Sequence, residues 1–164
     1  MEGERMRLNR YNVKINRKSN RTELIKEKAV NYSACKKLRS PEHIVEAMNS
    51  LLDLQNMAEE YVYLLTLNTK GDITGVFEIA HGTVSNCLVS PREIFNRALM
   101  IGATTIILVH NHPSGYPEPS HDDILLTERV KKAGELIGIE LLDHIIIGDK
   151  CFISFRREEI LANL

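Results

Sequence analysis

The sequence predicts an α/β (α+β) fold, a mixed β-sheet flanked by helices, and three observations predict it. Short apolar runs, YVYLLTL at 61–67, TTIILV at 104–109 and LLDHIII at 141–147, have strand length and too little polarity for a sheet face open to water. Between them, apolar residues recur at helical spacing in segments opened by Ser40-Pro41-Glu42, by Pro91 and by Ser120-x-x-Asp123. The two kinds of segment alternate along the chain, as they do where helices cover a sheet.

Taken in order, residues 1–38 carry recurrent positive charge, few apolar residues and no sustained period. They read as a basic N-terminal arm, loosely attached or ordered only against a partner chain. The domain proper is 39–164. In its first helix Ile44, Met48, Leu51, Leu52 and Leu54 follow roughly helical spacing. Tyr61–Leu67 and Ile73–Ile79 form a hairpin across the turn residues Asn68-Thr69-Lys70-Gly71-Asp72. Thr83–Val89 is a candidate third strand. The helix begun at Pro91 places Ile94, Phe95, Ala98 and Leu99 on one face. After the strand at 104–109 comes a Pro/Gly/Ser loop, Asn111–Pro119, and then a helix over about 121–137 that Gly138 ends. Leu141–Ile147 and Cys151–Phe155 are two more strands, and a short helix over about 156–163 closes the chain.

Composition narrows the function classes. The chain has 164 residues, enough for a sizeable core. No apolar run reaches the roughly 18 residues needed to span a bilayer, and the first residues lack the apolar stretch of a secretory signal. The expectation is a cytoplasmic protein with no membrane association. Cys35, Cys87 and Cys151 are far apart and odd in number, which argues against a disulfide framework or a cysteine-rich zinc ribbon and for buried or half-buried free thiols. Residues 1–40 hold 12 of the 21 lysines and arginines and 4 of the 22 acids, a balance of +8, against −9 for the remainder. That split separates an arm from a domain.

The chemistry concentrates in VHNHPSGYPEPSHDD at 109–123. His110 and His112 leave the end of a buried strand, and at i and i+2 their side chains share one face. Neutral imidazole is a common zinc ligand, and a carboxylate completes such sites. Pro113 and Pro117 stiffen the loop that follows. Asp123, one turn into the next helix, can point back toward the histidines. Three protein ligands and one open position describe a catalytic zinc site. HxH alone is a weak signal, however, and Ser120-x-x-Asp123 is also a helix capping box that explains both residues with no metal. The two roles compete for one carboxylate.

The combined pattern, His-x-His-Pro, six residues, Ser, two residues, Asp, resembles the JAMM motif of the JAB/MPN metalloprotease superfamily position for position. The longer string HNHPSG…PS..D, with Thr127, LLDHIIIGD at 141–149 and GTVSNCLVSPREIFNRAL at 82–99, resembles the RadC family within it. The resemblance covers about residues 40–158. It implies a JAB/MPN-like mixed sheet flanked by helices, with cytidine-deaminase-like layering. It also implies one zinc ion per chain, held by His110, His112 and Asp123, with a water in the fourth position. A glutamate on an upstream strand would act as general base, and Ser120 would hydrogen-bond the substrate carbonyl oxygen or the tetrahedral intermediate.

Glu78 is the chosen base, because a lone Glu in the apolar segment VFEIA costs stability unless it is paired, exposed or functional. Glu93 is the runner-up, with a helix-dipole role as the plain alternative. Asn111, Ser114, Asp143 and His144 are candidates to support the site from behind the ligands. Asp122 reads as a solvated first-turn acid, and His43, His81 and His121 as surface residues.

Three function classes follow. The first is a zinc metallopeptidase or isopeptidase acting on a peptide or protein, cleaving an amide bond through a zinc-activated water. The second is a nucleic-acid-associated protein that uses the basic arm, in keeping with the DNA-repair label and mobile-element links of RadC-like proteins. Full-length relatives carry a helix-hairpin-helix region ahead of this domain. Residues 1–38 lack its glycine-bearing hairpin, so DNA binding through that region does not transfer. The third is a scaffold or interaction module, as the resemblance to MPN domains that keep the fold without the ligands implies, and it ranks last because the ligands are present. A homo-oligomer is compatible with all three. A zinc deaminase is excluded, since neither H-x-E nor P-C-x-x-C occurs.

Overall fold

The computed structural model describes residues 6–32, 40–82 and 89–164. These build a seven-stranded mixed sheet with helices on both faces. In chain order the elements are β1 (Met6–Asn16), β2 (Arg21–Tyr32), α1 (Pro41–Leu52), a 3-10 turn (Leu54–Asn56), β3 (Glu60–Leu67), β4 (Ile73–Gly82), α2 (Pro91–Met100), β5 (Thr105–Asn111), α3 (His121–Ile137), β6 (Glu140–Ile147) and β7 (Phe152–Ser154). The strand order is β2-β1-β4-β3-β5-β6-β7. The β1–β4 and β5–β6 pairs are parallel and the others antiparallel.

The apolar strands are apolar because both faces are covered. Along β5, Ile107 and Val109 pack with Ile44, Met48 and Leu51 of α1, while Ile106 and Leu108 pack with Ile94, Phe95 and Val130 of α2 and α3. Period-two alternation therefore sends successive residues to opposite helical layers. The same alternation decides what happens at the end of β5: His110 turns toward α3 and Asn111 toward the α1 side.

Each helix starts where the sequence places a cap. Ser40 and Ser90 accept from the backbone of His43 and Arg92, each followed by Pro. At α3 Ser120 and Asp123 form a reciprocal capping box. The helix ends at Gly138, whose φ of 81° lies in the left-handed region. Here the chain turns so tightly that a Cβ on Gly134 would sit 2.4 Å from the Ile139 carbonyl oxygen.

Residues 6–32 differ from the loose arm expected of them. They form an antiparallel hairpin whose first strand joins the sheet beside β4, with Arg10 opposite Val76 and Tyr11 opposite Phe77. Leu8 and Tyr32 are buried in the α1 layer, and Tyr11 stacks on Phe77 at 5.8 Å. The remaining side chains are largely exposed, which is why the stretch looked too polar to fold. The expected closing helix is instead a series of turns and a 3-10 turn at Leu161–Asn163, broken by a positive φ at Glu159. Cys151 is exposed rather than buried. The candidate strand at Thr83–Val89, like Cys35 and Cys87, falls mainly or wholly outside the described residues.

Candidate metal centre

Three elements bring four ionisable side chains to one point. β5 delivers His110 and, just past its end, His112, while the first turn of α3 delivers Asp123. β3 delivers a residue that the sequence reading passed over, Glu60. β3 runs antiparallel to β5 with Val62 opposite His110, and Glu60, Val62 and Leu64 share the face that turns toward α3. One ligand atom from each of Glu60, His110, His112 and Asp123 lies within 4.8 Å of every other.

His110 Nε2 is 3.0 Å from His112 Nε2 and 3.2 Å from Asp123 Oδ1. His112 Nε2 is 3.4 Å from Asp123 Oδ2, and Glu60 Oε1 is 3.9 Å from His110 Nε2. Glu60, His110 and Asp123 are buried and His112 is partly so. The other ring nitrogen of His112 donates to the Tyr116 carbonyl at 2.8 Å, so the neutral ring carries its lone pair on Nε2, facing the cluster.

Asp123 caps α3 and still turns one oxygen to the cluster. Oδ2 accepts from the Ser120 amide at 2.7 Å and from its hydroxyl at 2.6 Å, while Oδ1 faces His110. Burial opposes its charge, but the hydrogen bonds that the protonated His110 and His112 rings can donate, with that from Ser120, outweigh burial and hold the carboxyl well below the usual range. The hydrogen bond to Asp123 raises His112. Burial raises Glu60, opposed by the two histidines. The second oxygen of Glu60, Oε2, is buried with no hydrogen-bond partner among the described residues.

These residues fit a divalent cation. A buried carboxylate oxygen without a donor is costly unless something positive faces it. Two imidazole nitrogens at 3.0 Å, each held by its partner so as to turn a lone pair inward, also need a proton or a cation between them. Two His nitrogens with carboxylate oxygens are a donor set that suits zinc.

Glu78 lies elsewhere. A bulge between Val62 and Tyr63 puts Glu78 opposite Tyr63, on the face of the sheet away from the cluster. Its carboxylate takes Arg10 Nη2 at 2.8 Å, His81 Nδ1 at 2.8 Å and the Tyr63 hydroxyl at 3.3 Å. It is thus a paired, half-buried acid, the plain reading of a lone Glu in a strand. Glu93 is exposed in the first turn of α2 and pairs with Arg97 at 3.1 Å. His81 is exposed and stacks on Tyr61, and His121 is also exposed.

The supporting candidates divide in the same way. His144 is fully buried, with Nε2 2.8 Å from His110 Nδ1, and burial holds its pKa well below the ordinary value. Its Nδ1 is 2.7 Å from the hydroxyl of Thr127. Asn111 and Asp143 do not line the cluster. Asn111 binds the Glu59 carbonyl and the Tyr61 amide, and Asp143 binds Ser154 and the amides of His144 and Arg156. Ser114 accepts from the Tyr116 amide and shapes the loop. Among the described residues no helix is long and apolar enough to cross a membrane.

Residues 38–160 match the model of the RadC-like JAB domain. The chain is 43% identical over 139 residues to a UPF0758 protein of Clostridium perfringens, an alignment covering 85% of this chain and 60% of that one. It is 40% identical over 127 residues to a UPF0758 protein of Shouchella clausii, covering 77% of this chain and 54% of that one. A UPF0758 protein of Desulforamulus reducens is 44% identical over 124 residues, covering 76% and 54%. The chain thus spans between half and two thirds of the length of these curated relatives.

Proposed function

This chain belongs to the RadC-like JAB domain family, and on that premise we propose that it is a zinc-dependent hydrolase that cleaves an amide bond of a peptide or protein. The observation that carries the proposal is the convergence of His110, His112 and Asp123 with the unpartnered carboxylate oxygen of Glu60. A zinc ion bound there supplies Lewis acidity and lowers the pKa of water toward ~7.

The protein's own residues do the rest. Glu60, not Glu78, is the general base in this reading. It is the acid on the same sheet face as the ligands, and burial raises its affinity for a proton, as suits a group that takes one from water and passes it to a leaving amine. Tyr116 fixes His112 through its carbonyl. Ser120 first holds Asp123, and its hydroxyl can donate to a substrate carbonyl only by leaving Oδ2.

The test is elemental analysis followed by hydrolysis of a peptide library read by mass spectrometry. Wild type should hold about one zinc per chain, and the His110→Ala/His112→Ala variant none. Glu60→Gln should keep the metal and lose about 10²–10⁴-fold in rate. A wild type that stays zinc-free after reconstitution would overturn the reading, and a fully active Glu60→Gln would remove the base.

One observation favours nucleic acid as a partner. The turn joining β1 to β2, with the first residue of β2, exposes Arg17, Lys18 and Arg21 with no acid among residues 17–21. In this second reading the hairpin tip contacts phosphates. Reversing the three charges to Glu should abolish salt-sensitive binding to mixed-sequence duplex DNA, and unchanged binding would remove the tip from consideration.

A further inference from the structure

We propose that Thr127 and His144 are positioning residues that keep the proton of His110 on Nδ1, so that its Nε2 lone pair faces the metal. The purpose of this device rests on the metal-site reading above. Its direction rests on hydrogen bonds alone.

The hydrogens can be assigned one after another. The Thr127 hydroxyl lies 2.5 Å from the Asp123 carbonyl oxygen, a separation that requires a proton between them. A carbonyl cannot donate, so Thr127 does, and its single proton is used. The 2.7 Å contact from Thr127 Oγ1 to His144 Nδ1 must therefore be filled by an N–H of His144. His144 is fully buried, and its ring packs on Phe155 at a centroid distance of 4.8 Å. Its ring nitrogens meet His110 and Thr127, and among the described residues no carboxylate contacts either of them to balance a positive ring. The ring is neutral, so with Nδ1 protonated its Nε2 is an acceptor. The 2.8 Å contact to His110 Nδ1 is then an N–H donated by His110. With that proton held on Nδ1, the nitrogen left to offer a lone pair to a metal is Nε2, the atom that faces His112 and Asp123.

The relay begins at one ligand and ends on the backbone of another, since its last acceptor is the carbonyl of Asp123. Thr127 is one turn beyond Asp123 on α3, and His144 sits on β6, the strand beside β5. The hydrogen bonds therefore connect the helix that carries Asp123 to the strand that carries His110. With the opposite proton order, two oxygens would meet at 2.5 Å with no hydrogen, and His110 would turn an N–H toward the metal.

The experiment uses the full chain with histidine ring nitrogens labelled with 15N. Long-range 1H–15N correlation spectra are recorded at mildly alkaline pH, zinc-loaded and after chelation. Zinc affinity is measured alongside by competition with a chromophoric chelator. Wild type should show the ring proton of His110 on Nδ1 and that of His144 on Nδ1. Thr127→Val, which keeps the volume and removes the acceptor, should lose the His144 signature and weaken zinc by roughly 10–100-fold. Thr127→Ser should restore both. The wild-type spectrum needs no variant to fold, and a His110 Nδ1 without its proton in the chelated protein would overturn the proposal. So would a Thr127→Val protein that binds zinc as wild type does. If wild type shows the expected ring protons but takes up no zinc, the relay stands and the metal-hydrolase reading falls.

Discussion

Asn111 lies between His110 and His112 in the chain, yet its side chain grips the peptide groups on both sides of Glu60. Its carbonyl oxygen accepts from the Tyr61 amide at 2.8 Å, and its amide donates to the Glu59 carbonyl at 3.0 Å. Strand alternation turns Asn111 to the face opposite its neighbours, where the chain leading into β3 passes. One three-residue segment of β5 and its end thus presents two nitrogens to the cluster and also fastens the backbone of its fourth member. Asn111→Ala would leave a part-buried amide and carbonyl without this partner, at a cost of about 1–3 kcal/mol. His110, His112 and Asp123 do not depend on that clamp, so zinc content should stay near wild type while hydrolysis falls with Glu60 displaced. Urea unfolding and elemental analysis check the two halves separately.

Glu78→Gln should behave differently from Glu60→Gln. Glu78 faces Arg10 and His81 across a half-exposed joint, with side-chain exposures of 26% and 28% for Glu78 and Arg10. Ion pairs with that much solvent contribute little, less than about 1 kcal/mol, and salt weakens them. Zinc content and hydrolysis should stay within a few-fold of wild type. A loss as large as that of Glu60→Gln would return Glu78 to the mechanism.

The contrast between these two glutamates shows what the sequence could reveal. His110, His112 and Asp123 were legible because their spacing is local: a strand end, a stiff loop and one capped turn. Glu60 was hidden because its place depends on which residue of β3 stands opposite which residue of β5, and because the apolar run that marks the strand begins only at Tyr61. Glu78 drew attention as a lone acid in an apolar run, but the bulge beside Tyr63 turns it to the other face, and nothing in the composition marks that bulge. The β1–β2 hairpin was hidden for a related reason. It lies at the sheet edge with few buried residues, so its sequence carries the charges of an edge rather than the pattern of a core strand. His144 was visible as a polar residue in an apolar strand. The Thr127 hydroxyl, an i+4 back-bond within α3, acquires its role only when β6 is placed beside it.

Gly148→Ala should act on the metal site from a distance. A Cβ there would sit 2.4 Å from the Gly115 carbonyl oxygen, and backbone cannot yield as a side-chain tip does. Gly115 is bound at that oxygen by the Asp149 amide at 2.9 Å, and its neighbour Tyr116 holds His112 Nδ1. The loop must shift, and His112 loses its fixed ring orientation. Zinc affinity should fall by roughly 10–100-fold. Overpacking costs about 1–3 kcal/mol of stability. Chelator competition measures the first and urea unfolding the second. Wild-type affinity in a clearly destabilised variant would show that His112 does not need the Tyr116 carbonyl.

Asp143 gives a prediction about pH. It is buried, with Oδ2 taking the Ser154 hydroxyl at 2.6 Å and Oδ1 the His144 and Arg156 amides at 2.8 and 3.0 Å. Burial raises its pKa from 3.8, and these three donors only partly oppose the shift. An acid with a raised folded pKa binds its proton more tightly in the folded state. Its contribution to stability is therefore full below the unfolded value and declines as pH rises through the folded one. Asn at this position can accept both amides on Oδ1 and donate to Ser154 from Nδ2, without a charge to bury. Between pH ~4 and ~7, wild type should lose stability relative to Asp143→Asn as pH rises. Asp143→Ala should be less stable than either throughout, by about 2–4 kcal/mol, because two amides and a hydroxyl lose their acceptor. Urea unfolding across that range, with a chelator present so that metal binding does not contribute, measures both differences. If wild type instead gains on Asp143→Asn with rising pH, the three donors outweigh burial and the carboxylate is the favoured form.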